Sequence, residues 1–352
     1  MIRIERVPIR DLAAFAREVA GKPAYADTSP TCLLRAVSQP HNPHASPEDV
    51  ALLVAYHEGR CAGYHGLLPG MLSTAAGLSR LYWLITFYVA PEFRGRGIGA
   101  RLVREALALD ADLATTGITR AAERVYRSVG FRDLGELACR RLSVESYPRP
   151  ARWLIYTAIC SQLPNRNRWR PRPVSRIPAE AAGTPSDGAA RPRFERGADT
   201  VNWMLTHPWV VSREEAAPDA SSYYFSRVRD LFRFEAYEAC VSNGNSRGAY
   251  VLSITRHKGR VQVKLLDLFF TDAADAAAAG IGALERGREL LAHRVELPMA
   301  VAGTLQACRP LQRLSRRKSR IYLYHPRNAE SPLARSAETI CLDYCDGDSA
   351  FT

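Results

Sequence analysis

Val89-Ala90-Pro91-Glu92-Phe93-Arg94-Gly95-Arg96-Gly97-Ile98-Gly99-Ala100 is a glycine-rich turn, and what flanks it decides the fold. Residues 81–89 form an apolar, β-prone run that Pro91 ends. Beyond the turn, Ile98, Leu102, Ala106 and Leu109 recur at helical spacing, which predicts a helix over 98–109. Amide N–H groups at such a helix start have no internal partner and sit at the positive end of the helix dipole, so they suit a diphosphate. Gly97 and Gly99 let backbone approach a ligand closely, although a purely structural turn would also use glycine. A nucleoside triphosphate loop requires Gly-Lys-Ser or Gly-Lys-Thr, and Gly99-Ala100-Arg101 supplies neither the lysine nor the hydroxyl. A dinucleotide fingerprint can be forced onto Gly95, Gly97 and Ala100, but that loop follows the first strand of a βαβ unit. Here three antiparallel-looking strands come first.

Working outward, residues 51–57 and 61–68 flank Glu58-Gly59-Arg60 and read as a hairpin. A short strand is expected at 112–116, a helix at 120–129 stopped by Gly130, and a returning strand at 131–142. Residues 164–193 concentrate proline and arginine without either regular period and read as a linker or surface excursion. Past them, strands are expected at 232–241, 248–256 and 261–270, a helix at 273–292, and an extended run at 295–301. Residues 305–314 suit a helix interrupted by Pro310. The same order of elements thus occurs twice, without visible repetition of residue identity.

The chain has 352 residues, 47% hydrophobic and 24% charged, enough apolar mass for two cores. A net charge of +12 favours anionic partners without choosing among phosphorylated cofactors, nucleic acid and acidic lipid. Eight scattered cysteines and an N-terminus of alternating charge suggest a reducing, cytoplasmic setting. No run approaches the ~18 apolar residues of a membrane span.

Arg94, Gly97 and Gly99 match the acyl-CoA loop of the GNAT acyltransferase superfamily, and residues 1–145 resemble that family. The stretch Ala122-Glu123-Arg124-Val125-Tyr126-Arg127-Ser128-Val129-Gly130-Phe131 is similar to its second signature. The resemblance implies that Arg94, Gly95, Arg96, Gly97, Ile98, Gly99 and Ala100 hold the diphosphate, with Ala122 on the same site. It implies that the backbone of Tyr88 and Val89 meets the pantetheine and thioester, and that Tyr126 acts as acid to the departing thiolate. One departure stands out: Thr119 occupies the place where the family often has an asparagine bonding the pantetheine arm. The segment 38–45 also looks like one seen in two-domain bacterial GNAT proteins associated with surface polysaccharide genes.

A general base is less clearly marked. His65 and His57 on the hairpin and His41 and His44 on the preceding loop can each accept a proton near neutrality; His65 is the leading candidate, with a water chain as the alternative. In the second half, Gly280-Ile281-Gly282-Ala283 falls inside the predicted helix and reads as packing. Asn202, Trp203, His207 and Trp209 are candidates to line an acceptor cleft, although aromatic residues at such spacing are usually core. Arg313, Arg316, Arg317, Lys318 and Arg320 form a basic cluster whose default is a solvated face. Cys341 and Cys345 lack a second ligand pair, so no metal is assigned.

The expected architecture is α/β (α+β) with two GNAT-like domains, each a mixed, mostly antiparallel sheet flanked by helices. The expected division is 1–147 for the acyl-CoA-binding domain, 148–194 for a helix and Pro/Arg-rich linker, and 195–352 for a degenerate GNAT-like domain. The expected activity is transfer of an acyl group, most simply from acetyl-CoA, to an amine of a small or carrier-linked acceptor such as an amino sugar. A Fem-type aminoacyl-tRNA-dependent transferase and a non-catalytic CoA-sensing or nucleic-acid-binding protein are the competing classes; a homodimer stays open.

Overall fold

The hairpin around Glu58-Gly59-Arg60 closes as the sequence indicates, and the rest of the first half builds on it. The computed structural model describes all residues except 1, 26–28, 180–191, 216–222, 226, 243, 271, 273–274, 338 and 348–352. The chain runs β1 (Ile2–Pro8), α1 (Ile9–Val19), α2 (Leu33–Ser38), β2 (Val50–His57), β3 (Arg60–Thr74), β4 (Gly77–Val89), α3 (Ile98–Leu107), β5 (Asp112–Thr116), α4 (Arg120–Ser128) and β6 (Arg132–Ser143). It continues with α5 (Arg149–Ser161), β7 (Trp169–Val174), β8 (Arg193–Phe194), α6 (Ala198–Thr206), β9 (Val210–Ser212), β10 (Arg227–Arg229), β11 (Leu231–Val241) and β12 (Ser246–His257). Then come β13 (Arg260–Phe270), α7 (Ala277–Glu289), β14 (Arg294–Pro298), α8 (Met299–Thr304), α9 (Arg309–Leu314), β15 (Ser315–His325) and α10 (Pro332–Ser336).

Twelve of these strands form one mixed, mostly antiparallel sheet in the order β1-β2-β3-β4-β5-β15-β6-β14-β13-β12-β11-β7, with β8 attached to β3. The halves exchange strands. Late in the chain, β15 returns to lie between β5 and β6, and β6 pairs through Cys139–Ser143 with β14 of the second half. A buried cluster spans the junction, joining Leu68, Leu81 and Trp83 of the first half to Trp203, Leu266 and Tyr322 of the second. Each fully buried large side chain contributes about 1.5–3 kcal/mol by leaving water, so this seam is a core of its own.

Three sequence readings need correction. The stretch expected to be an irregular linker contains β7, which pairs with β11 at the sheet's end. Its prolines, Pro171 and Pro173, occupy alternate positions, so both missing N–H groups fall on one side of the strand, as an edge tolerates. The helix expected over 305–314 begins only at Arg309, with Pro310 in its first turn, where its missing N–H costs nothing. Residues 315–325, whose first half reads as a solvated basic face, form the central strand β15; Arg316, Arg317 and Lys318 stay exposed while Tyr322 and Leu323 are buried. Among the described residues no helix is long and apolar enough to cross a membrane.

Candidate active site

The site begins where β4 leaves its neighbour. Strands β4 and β5 run parallel and pair over Leu81–Trp83 against Asp112–Ala114, and no ladder continues beyond. Just past that point β4 carries one extra residue against β3, between the pairs Gly66↔Ile85 and Tyr64↔Tyr88. Within the bulge Thr86 adopts φ 49°, a left-handed conformation that costs a non-glycine residue about 1–2 kcal/mol. The bulge and the splay together leave the last β4 residues, still paired to β3, without a β5 partner and open a wedge between β4 and β5.

The glycine turn lies at the mouth of that wedge. Gly97 caps α3 with φ 75°, which glycine adopts without steric cost. The first bond of this helix runs from Arg101 N–H to the Gly97 carbonyl, and no side chain caps the end. The N–H groups of Ile98, Gly99 and Ala100 therefore have no helical partner. Gly99 is fixed by packing, since a Cβ there would sit 2.9 Å from the Phe87 ring. Arg94 Nε donates to the Val89 carbonyl at 3.1 Å and ties the turn back to β4.

A groove of about 720 Å³ runs along this turn. Tyr88, Val89, Arg94, Gly95, Gly97, Ile98, Gly99, Ala100, Thr119 and Ala122 all line it. Arg96 does not line it; its guanidinium lies 5.6 Å from the centroid of Phe93. Thr119 caps α4, its hydroxyl oxygen accepting from Ala122 N–H at 3.2 Å, which leaves its own proton to donate elsewhere.

Tyr126 is 1% exposed and borders a second cavity of about 380 Å³. The two cavities share Phe87, Thr119, Ala122 and Phe225. Behind the tyrosine, His65 is wholly buried. Its Nδ1 lies 3.0 Å from the Ile85 carbonyl and its Nε2 lies 2.9 Å from the Tyr126 hydroxyl. A carbonyl only accepts, so Nδ1 carries the proton and Nε2 accepts from Tyr126. Burial pushes the His65 pKa down to about 4, so the ring is neutral at pH 7. His65 lines neither cavity and stands behind Tyr126 and Phe87, which do.

The other sequence candidates do something different. His57 packs on Phe93, His41 stacks on His207, and His44 Nε2 meets Thr200 Oγ1 at 2.8 Å. The four residues expected along an acceptor cleft line neither cavity. Trp203 and Trp209 donate their indole N–H groups to the Ser38 carbonyl and hydroxyl, and Asn202 bonds both the N–H and C=O of Ile177. Trp203 in α6 and Trp209 just after it are thereby fastened to Ser38, and Asn202 ties α6 to Ile177, because buried indole and amide groups require partners. The Gly280 and Gly282 echo is packing: a Cβ at Gly282 would meet the Tyr250 hydroxyl at 2.1 Å.

Several lining residues had no sequence signal of their own. Tyr224 and Phe225 come from the second half and cover the first-half groove, with the Tyr224 ring tilted against Tyr88 at a centroid distance of 4.7 Å. Their only trace is the aromatic run Tyr223-Tyr224-Phe225. Arg141, Arg229, Lys264, Glu296 and Arg320 line the inner cavity; apart from Arg320, already in the basic cluster, each is a charge on a strand like many others. Among the described residues no group of metal-ligating side chains is present.

Residues 48–133 match the family model described as Acetyltransferase (GNAT) domain. The chain is 39% identical over 101 residues to mycothiol acetyltransferase of Nocardia farcinica, covering 28% of this chain and 31% of that one. It is 32% identical over 121 residues to N-alpha-acetyltransferase RimI of Mycobacterium tuberculosis, covering 30% and 62%. It thus spans less than two thirds of either relative. A GCN5-related N-acetyltransferase from Anabaena variabilis superposes with TM-score 0.54 over 94% of this chain and 74% of that one, at 12% identity. By sequence, residues 48–133 are a GNAT acetyltransferase domain, and the chain as a whole shares the fold of the Anabaena protein.

Proposed function

We propose that this chain is an acyl-CoA-dependent N-acyltransferase, with acetyl-CoA the simplest donor, acting on the amine of a small or carrier-linked acceptor. The observation that carries the reading is that the two cavities adjoin: a groove along an uncapped helix start and a chamber bordered by Tyr126 share Phe87, Thr119, Ala122 and Phe225 as common wall. The N–H groups of Ile98, Gly99 and Ala100 suit the donor's diphosphate, and the freed edge of β4 at Tyr88 and Val89 suits an extended amide arm. An amine entering from the inner cavity would attack the thioester carbonyl carbon, the C–S bond would break, and Tyr126, its O–H rotating away from His65 Nε2, would donate to the leaving sulfur. Neutral His65 acts as a positioning residue that fixes the tyrosine hydroxyl, and solvent takes the proton lost by the amine. The second half supplies acceptor-side wall; the boundaries 1–147, 148–194 and 195–352 describe chain segments more than separable bodies.

Gly97→Glu tests the donor site. It forces a side chain onto φ 75° and sets a carboxylate against the diphosphate. Calorimetric titration of acetyl-CoA is expected to show affinity reduced by about 100-fold or more; unchanged affinity refutes the loop assignment.

A further inference from the structure

The inner cavity is electrostatically lopsided. Among the described residues its lining includes Arg141, Arg229, Lys264 and Arg320 against one carboxylate, Glu296. That carboxylate is 4% exposed and already accepts from Arg141 at 2.5 Å. Lys264 is 6% exposed, with its ammonium 5.0 Å from the Tyr344 ring centroid. Arg229, at the end of β10, is half-buried, and its guanidinium has no hydrogen bond or ion pair among the described residues. The acid beside it, Asp230, is engaged by Arg213 at 3.3 Å. Burial lowers the Arg229 pKa, with only Asp230 opposing that shift. A partly desolvated guanidinium presents a planar fork of donors, and a carboxylate or phosphate is the ligand that matches it.

These charges stand apart from the donor's own phosphates, which the groove beside Arg94 would take. They share a cavity with Tyr126, whose hydroxyl marks where an amine would react. We propose that the acceptor is an amine bearing a carboxylate or phosphate, bound through that anion by Arg229 and the neighbouring cations on the second-half wall. This rests on the acyltransferase reading and narrows its substrate class. Neutral amines would leave Arg229 without its counter-charge and so react poorly.

The test separates this claim from the reading beneath it. Inorganic phosphate is titrated into protein saturated with CoA, so that the diphosphate loop is occupied. Binding is expected, weakened about tenfold in Arg229→Gln and less in Arg229→Lys, which keeps the charge but loses the fork. Acetyl-CoA affinity should be the same in all three proteins. No phosphate binding, or equal binding in the variants, overturns the anion site while donor binding stands; failure of CoA to bind the wild type refutes the acyltransferase reading instead. In turnover, glucosamine 6-phosphate is expected to exceed glucosamine, and alanine to exceed alaninamide, by about tenfold in kcat/KM, with Arg229→Gln levelling both pairs. Preference for the neutral members overturns the proposal. Succinyl-CoA is compared with acetyl-CoA as donor: a preference for succinyl-CoA that Arg229→Gln abolishes would place the anion on the acyl chain and overturn its assignment to the acceptor.

Discussion

Tyr126 and His65 lie 61 positions apart and meet at 2.9 Å. The tyrosine's place in a recognisable signature makes it legible in the sequence, whereas the histidine is one of eight. What selects His65 is the bulge opposite it, which turns the Ile85 carbonyl toward Nδ1 and so fixes which ring nitrogen accepts. If Tyr126 is the proton donor, Tyr126→Phe keeps the ring packing against Phe87 and Phe131 but removes the proton. Steady-state kinetics is expected to show kcat reduced by about 10–100-fold, with acetyl-CoA affinity unchanged. Full activity would reduce Tyr126 to a packing residue.

Strands β6 and β15 show how an element's position changes its meaning. Strand β6 lies between β15 and β14, both contributed by the second half, and β5 has β15 as its outer neighbour. A fragment of residues 1–147 would expose the outer edge of β5 and leave β6 unpaired, an aggregation-prone arrangement. The fragment alone is expected to show no cooperative thermal transition by circular dichroism, and co-expression with residues 148–352 is expected to restore one. Independent two-state melting with retained CoA affinity would show that the exchanged strands are dispensable. The basic start of β15 concealed it in the sequence: three consecutive cations suggest a surface, and only pairing on both sides makes that surface a strand.

Across the whole molecule, the chain's last described turn is fastened by an unusual charge cluster. Arg196 meets Asp343 at 2.8 Å, Asp267 at 3.3 Å and Asp346 at 3.6 Å. One guanidinium faces three carboxyls, and burial with like-charge crowding pushes Asp346 up to about 8. An acid with a native pKa above its unfolded value of ~3.9 binds its proton more tightly in the folded state, so its stabilising contribution is complete below pH ~4 and lost as pH rises through about 8. Asp346→Asn mimics the protonated form. Its melting temperature relative to the parent is therefore expected to rise between pH 5 and pH 9, by roughly 2–4 °C per kcal/mol of charge repulsion removed. Parallel pH profiles would show that Asp346 titrates normally. The sequence by itself determined the glycine turn proposed as the donor side, because a helix start that needs glycine at a left-handed turn is a local requirement written in adjacent residues. The hydrophobic periods likewise set most elements of both halves. The tertiary structure alone decided the cavity proposed as the acceptor side: Phe225, Arg229, Lys264 and Glu296 converge only because strand exchange brings the halves into one sheet, and a charge on a strand acquires meaning from what it faces across a cavity.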